Sequence, residues 1–333
     1  MNYFRLIYLL LGLALLVWVV TQTDLMEVWT HSRKLGWGLG VVLAIYFLAF
    51  LIDSLSWQLT FLTLGFGGSW GVHLWKVRMV GEAVNSATPF ATMGGEPVKA
   101  MLLHRHYGMA YGESVASLVL ARTTNLLALV AFLAVGFGLM TGSAQLPAGY
   151  TASAGIGLAA LGIGIVLFFL VQRFKVSSAT GRWLARGRLG AWLDRTLGHI
   201  HELEDRLINF YAGHRLRFAA AFALALVNWM VGTAELYATL WFLDRPVTIA
   251  EAWIIEAGAQ LVRAATFFIP ASIGAQEGAF LLLCGAITGQ PALGLAVALI
   301  RRLREIVWIL WGFALGWRYS SQAPLGEGED QPR

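Results

Sequence analysis

Charged side chains stand where a lipid bilayer would be. Arg122, Glu235, Arg263, Arg301, Arg304 and Glu305 all fall inside stretches otherwise apolar enough to be buried in a membrane. A charge at mid-bilayer costs about 2.5–3.5 kcal/mol on insertion scales, so it normally faces a partner or a wet path. Positions 301, 304 and 305 share one helical face, which pairs Arg301 with Glu305 and leaves Arg304 for an acid such as Glu277 or Glu96. Counted with Arg302, the arginines outnumber the acids near them in the second half. Guanidinium forks suit phosphate, so such an excess points to an anion, and lipid head groups supply anions at that depth. The competing reading is a set of structural ion pairs that holds a helical bundle together and needs no ligand.

A second constellation surrounds a proline. Glu82 and Asn85 precede Pro89, and Glu96 and Lys99 follow it. Arg78 and Glu82 lie one helical turn apart and are expected to pair. Asn85 suits the end of a broken helix, and Lys99 with Arg105 suits head-group phosphates at an interface. His73, His104 and His106 have no metal-ligand spacing, and the lone Cys284 offers no disulfide or zinc site. There is no nucleophile elbow, nucleotide-binding loop or paired-aspartate motif. The expectation is therefore a protein that is not an enzyme and uses no metal or cofactor.

The elements that carry these residues follow from composition. The chain has 333 residues, 58% hydrophobic and 13% charged, where a soluble domain is about a quarter charged. Mean hydropathy is +0.66. This excludes a soluble globular protein and reads as an all-α polytopic membrane protein. The net charge of +5 does not imply nucleic acid, because most of the excess sits in one loop.

Six segments satisfy the roughly 20 apolar residues a spanning helix needs: about 5–21, 36–54, 114–140, 152–171, 217–241 and 292–316. The first reads as a retained span, since no small-residue cleavage site follows it. Regions 58–93 and 249–289 are apolar but broken by glycine and proline, which is tolerable only against protein or a wet cavity. Each reads as a re-entrant hairpin or as two short passes. The loop 172–216, with Arg217 at its edge, carries nine basic and four acidic residues, which places it in the cytoplasm by the positive-inside rule. Its apolar spacing suggests an amphipathic surface helix. Both termini are then cytoplasmic, and the two broken regions enter from opposite faces. The predicted organisation is one integral membrane domain over 1–320, with halves 1–171 and 217–320 around that loop, and a polar tail 321–333.

Two short segments echo one another. Pro89-Phe90-Ala91-Thr92-Met93-Gly94-Gly95-Glu96 and Pro270-Ala271-Ser272-Ile273-Gly274-Ala275-Gln276-Glu277 both place a glutamate seven residues after a proline. Seven residues before the prolines stand Glu82 and Arg263. Matched broken segments entering from opposite faces point to an inverted repeat with a central site.

The run from Glu82 to Pro89, with Gly94-Gly95-Glu96-Pro97-Val98-Lys99-Ala100, resembles the first signature of the flippase-like membrane family that includes the transmembrane region of lysylphosphatidylglycerol synthase. Pro270 to Gly278 matches the second. Trp229 with Glu235, the run Arg263 to Pro270, and Arg301 to Glu305 resemble most the hopanoid-biosynthesis-associated branch. The resemblance covers about 5–316 and implies a protein of the bacterial inner membrane that moves lipid, a phospholipid or a hopanoid, between leaflets. Lysyl transfer is not implied, because about fifteen polar residues follow the last span and none form an aminoacyl-transferase domain. The alternative is an accessory protein that binds or presents a lipid intermediate to lipid-biosynthesis enzymes. An integral membrane transferase ranks below both. Oligomeric state is not legible, because glycine-rich faces pack within a subunit or between two.

Overall fold

Within the described residues every element is a helix. The computed structural model describes residues 35–65, 68–87, 94–143, 148–173, 213–266 and 274–321, with 33, 210 and 272 beside them. Outside it lie the expected span 5–21, most of the basic loop, Pro89, Pro270 and the tail. The helices are α1 (Gly38–Leu59), α2 (Gly68–Ala87), α3 (Gly95–Tyr107), α4 (Tyr111–Thr141), α5 (Ala148–Arg173), α6 (Arg215–Phe242), α7 (Ile249–Ala265), α8 (Ala275–Thr288) and α9 (Pro291–Ser321).

By length and apolar content, α1, α4 and α6 are capable of crossing a membrane. Helix α9 has 31 residues, which is about 46 Å at 1.5 Å per residue, but four charges interrupt its middle. Ile156, Ile163, Val135 and Val227 are exposed on α5, α4 and α6. That is the outer face expected of a helix solvated by lipid.

Of the two irregular regions, 249–289 becomes a helix pair, α7 with α8, whereas 58–93 holds α2, and the helix that packs on it, α3, starts beyond that region at Gly95. Local chemistry sets their ends. Gly108 takes the left-handed conformation (φ 66°) and stops α3, with Met109 N–H returning to the Leu103 carbonyl at 3.3 Å. Thr248 and Glu251 form a reciprocal capping box that starts α7. At the start of α8, Glu277 accepts the Gly274 amide at 2.7 Å, and the φ of 81° at Gly274 favours glycine there. Pro291 opens α9, where its missing N–H costs nothing.

Packing runs between the halves. Helix α1 lies along α6, α4 packs on α7, and α9 packs on α2. Each of the last two contacts closes on a glycine. Gly136 of α4 faces Ala257 and Trp253 of α7, and Gly312 of α9 faces Ala83 and the Met79 carbonyl of α2. With no hydrophobic drive between helices in lipid, such close backbone approach is what dispersion forces reward. Apolar clusters fill the space beside these contacts. One gathers Trp57, Phe61, Leu74 and Leu103, and another gathers Leu236, Ile255, Phe280 and Val297.

Candidate functional site

Helix periodicity builds the first network. Arg78, Glu82 and Asn85 share one face of α2, and Glu96 and Lys99 share one face of α3. The Asn85 carbonyl oxygen accepts the Gly95 amide at 2.6 Å, and its amide donates to Glu82 at 3.5 Å. Asn85 thus satisfies an amide at the start of α3, which would otherwise be unpaired. Gly95 sits so close to the Gly81 carbonyl that no side chain fits, and the Lys99 stem covers Gly81. Lys99 then donates to Glu82 at 2.8 Å and to Glu96 at 3.1 Å. It is buried, with both of these carboxylates on its ammonium. Arg78 meets Asp53 of α1, with Glu82 farther off at 3.9 Å. Arg122 lies within electrostatic range of Arg78 and Glu82.

The second network is built on α9. Arg301 holds Glu256 of α7 through both terminal nitrogens, one at 3.2 Å. Its Nε stands 3.9 Å from Glu235 of α6. Arg304 pairs with Glu235 and lies 3.6 Å from the Tyr46 ring centroid. Arg302 bridges Glu277 of α8 at 2.7 Å and Glu305 at 2.9 Å, and Arg263 approaches Glu305 at 4.0 Å. Gln260 donates to Glu256 at 2.7 Å. Between α8 and α9 a shallow crevice is lined by Gln276, Glu277, Phe280, Ala298, Arg301, Arg302 and Glu305.

These partners correct three sequence-based expectations. Arg301 pairs with Glu256 instead of Glu305, because Arg302 and Arg263 take Glu305. Arg304 meets Glu235, not Glu277 or Glu96. The supposed surplus of arginine vanishes: Glu235, Glu256, Glu277 and Glu305 answer Arg263, Arg301, Arg302 and Arg304. Pairs of this kind offset the large desolvation cost of each ion only when both partners stay in place.

Of the predicted site residues, Glu82, Asn85, Glu96, Lys99 and Arg122 gather around α2 and α3. Glu235, Arg263, Glu277, Arg301, Arg304 and Glu305 gather around α9. Pro89 and Pro270 lie outside the described residues. The sequence reading missed Asp53, Glu256 and Gln260. Glu256, Gln260 and Arg263 share one face of α7 by their spacing, and that was the available signal. Glu82 also has a different counterpart. Ala83 and Ala257 each receive a glycine of the other half, so the residues before them, Glu82 and Glu256, occupy matching places. Arg263, which the proline spacing had matched to Glu82, lies two turns farther along α7.

The family model described as the lysylphosphatidylglycerol synthase TM region matches residues 5–312. No curated protein and no solved structure matches the chain significantly.

Proposed function

The chain belongs to the lysylphosphatidylglycerol synthase TM region family, and on that premise we propose that it moves a polar-headed lipid, a phospholipid or a hopanoid, between membrane leaflets. The observation that carries this reading is the second network. Buried guanidinium groups on α9 face the partly exposed carboxylate of Glu277 at the start of α8, with Glu305 beside them on α9. With the arginines already paired, a head-group phosphate enters by exchange. It takes the place of the one Glu277 oxygen that meets Arg302, while its tails stay in lipid. Glu96 on Lys99 offers the corresponding exchange in the first network.

The recurring order of helices supports an inverted repeat. Helices α1–α4 and α6–α9 run long, medium, short, long, and α4 on α7 matches α9 on α2. In this proposal six full spans and two broken pairs place the termini in the cytoplasm of a bacterial inner membrane, and the two networks open to opposite faces.

The test is leaflet transfer in vesicles. Purified protein is reconstituted with head-labelled phospholipid or hopanoid-type lipid, beside Glu277→Gln and Glu96→Gln. Transfer faster than in empty vesicles, and slowed in both variants, is expected. The accessory reading gains from the close pairing of the three buried arginines of α9, which suits holding over moving. Lipid that co-purifies with the protein while no lipid is transferred would select that reading and sink transport.

A further inference from the structure

An aromatic layer separates the two ionic networks. On α1, Tyr46, Phe50 and Asp53 follow one another along one face. Tyr46 and Asp53 are therefore about 10 Å apart along the helix axis. The Tyr46 ring carries Arg304 of the second network, and Asp53 holds Arg78 of the first. Phe50 lies between them, 5.0 Å from Tyr46 by ring centroids and 6.0 Å from the Arg78 guanidinium. Trp308, one turn beyond Arg304 on α9, closes the layer at 6.0 Å from Tyr46 and 5.7 Å from Phe50. Met79 of α2 packs beneath, and one further turn along α9 brings Gly312 onto the Met79 carbonyl. Helix α1 thus reads, in order, second network, aromatic ring, first network, and α9 runs from Arg304 through Trp308 to its contact with α2.

We propose that Tyr46, Phe50 and Trp308 form a septum that divides the path between the two networks and decides what crosses it. This rests on the lipid-transfer reading and adds its barrier. The face of an aromatic ring is electrostatically negative, so it attracts a guanidinium and repels a bare carboxylate or phosphate. An anion crosses only with an arginine alongside, and Arg304 and Arg78 already rest on opposite sides of the layer. Trp308 Nε1, Arg304 Nε and Arg78 Nε are buried beside it without an acceptor among the described residues. These donors are available to an oxygen-rich head group as it passes. Small inorganic anions, which bring no tail to hold the rings apart, are stopped.

The experiment uses sealed vesicles with an entrapped chloride-sensitive dye, and lipid transfer is read on the same preparation. Wild type and Trp308→Phe should hold chloride, whereas Trp308→Ala and Phe50→Ala should leak on the order of tenfold faster or more. Folded alanine variants as tight as wild type would overturn the septum. Should the alanine variants fail to fold, cysteines at Ser86 and Ala275 in a Cys284→Ser background decide it with an impermeant thiol reagent. The septum requires each to react from one side only, and from opposite sides; reaction of both from the same side overturns it. A wild type that moves lipid, with an alanine variant that does not leak, sinks the septum and leaves transport standing. A wild type that moves no lipid, with an alanine variant that leaks, does the reverse.

Discussion

Arg301 reaches from α9 to α7 and grips Glu256 with both terminal guanidinium nitrogens, and Glu256 is only 1% exposed. Removing one member of such a pair strands the other charge, at a cost of about 3–5 kcal/mol. Glu256→Ala should lower the thermal midpoint sharply in detergent, read by tryptophan emission. Glu256→Leu combined with Arg301→Met should recover much of the loss. A double variant as unstable as the single one would mean that Glu256 matters for something other than this pairing.

Backbone contact between helices predicts a second pattern. Gly95 faces the Gly81 carbonyl and Gly312 the Met79 carbonyl, whereas Gly40 has open space around it. Alanine at 95 or 312 should destabilise by about 1–3 kcal/mol, the usual range for overpacking. Alanine at 40 should be neutral or slightly stabilising. Equal behaviour of the three in a thermal melt would contradict the packing described for α2.

Lys99 joins Glu82 and Glu96 across α2 and α3. Lys99→Met removes the cation between Glu82 and Glu96 and leaves Glu82 to the more distant Arg78, and the yield of monodisperse protein on size exclusion should fall. Adding Glu82→Gln should restore part of it by removing one of those charges. If Lys99→Met alone is as well behaved as wild type, the ionic strap does not hold α3 in place.

At the far ends of α3 and α9 the hydroxyls of Tyr107 and Tyr319 lie 2.5 Å apart. Phenylalanine at either position should cost about 1 kcal/mol. The two changes together should cost little more than one, because each breaks the same bond. A double-mutant cycle on the melting free energies gives the coupling directly, and simple additivity would argue against the bond.

Much of the site was visible in the residues themselves. A charge within a spanning stretch is rare enough to single out Glu235, Arg301, Arg304 and Glu305, and proline with glycine marked where α2 gives way to α3 and α7 to α8. Partner choice was not visible. Arg301 has Glu305 four residues away on its own helix, yet Glu256 from another helix wins by meeting both of its terminal nitrogens. Asp53 escaped notice because it sits near the end of an apolar run, where a charge looks like a boundary. The septum residues escaped because an aromatic ring in a hydrophobic helix carries no sign of what lies on its faces.

The even match of acids and bases in the second network bears on how the protein would respond to an electric field. Arg301, Arg302, Arg304 and Glu305 give the middle of α9 two positive charges in excess, and moving each elementary charge through 100 mV is worth about 2.3 kcal/mol. Were α9 to slide alone, the resting potential of a cell would push on it strongly. If it travels together with Glu235, Glu256 and Glu277 and with Arg263, the group is neutral and voltage has no purchase on it. The pairing that keeps these charges stable therefore also shields any rocking of this bundle from the energised state of the membrane around it.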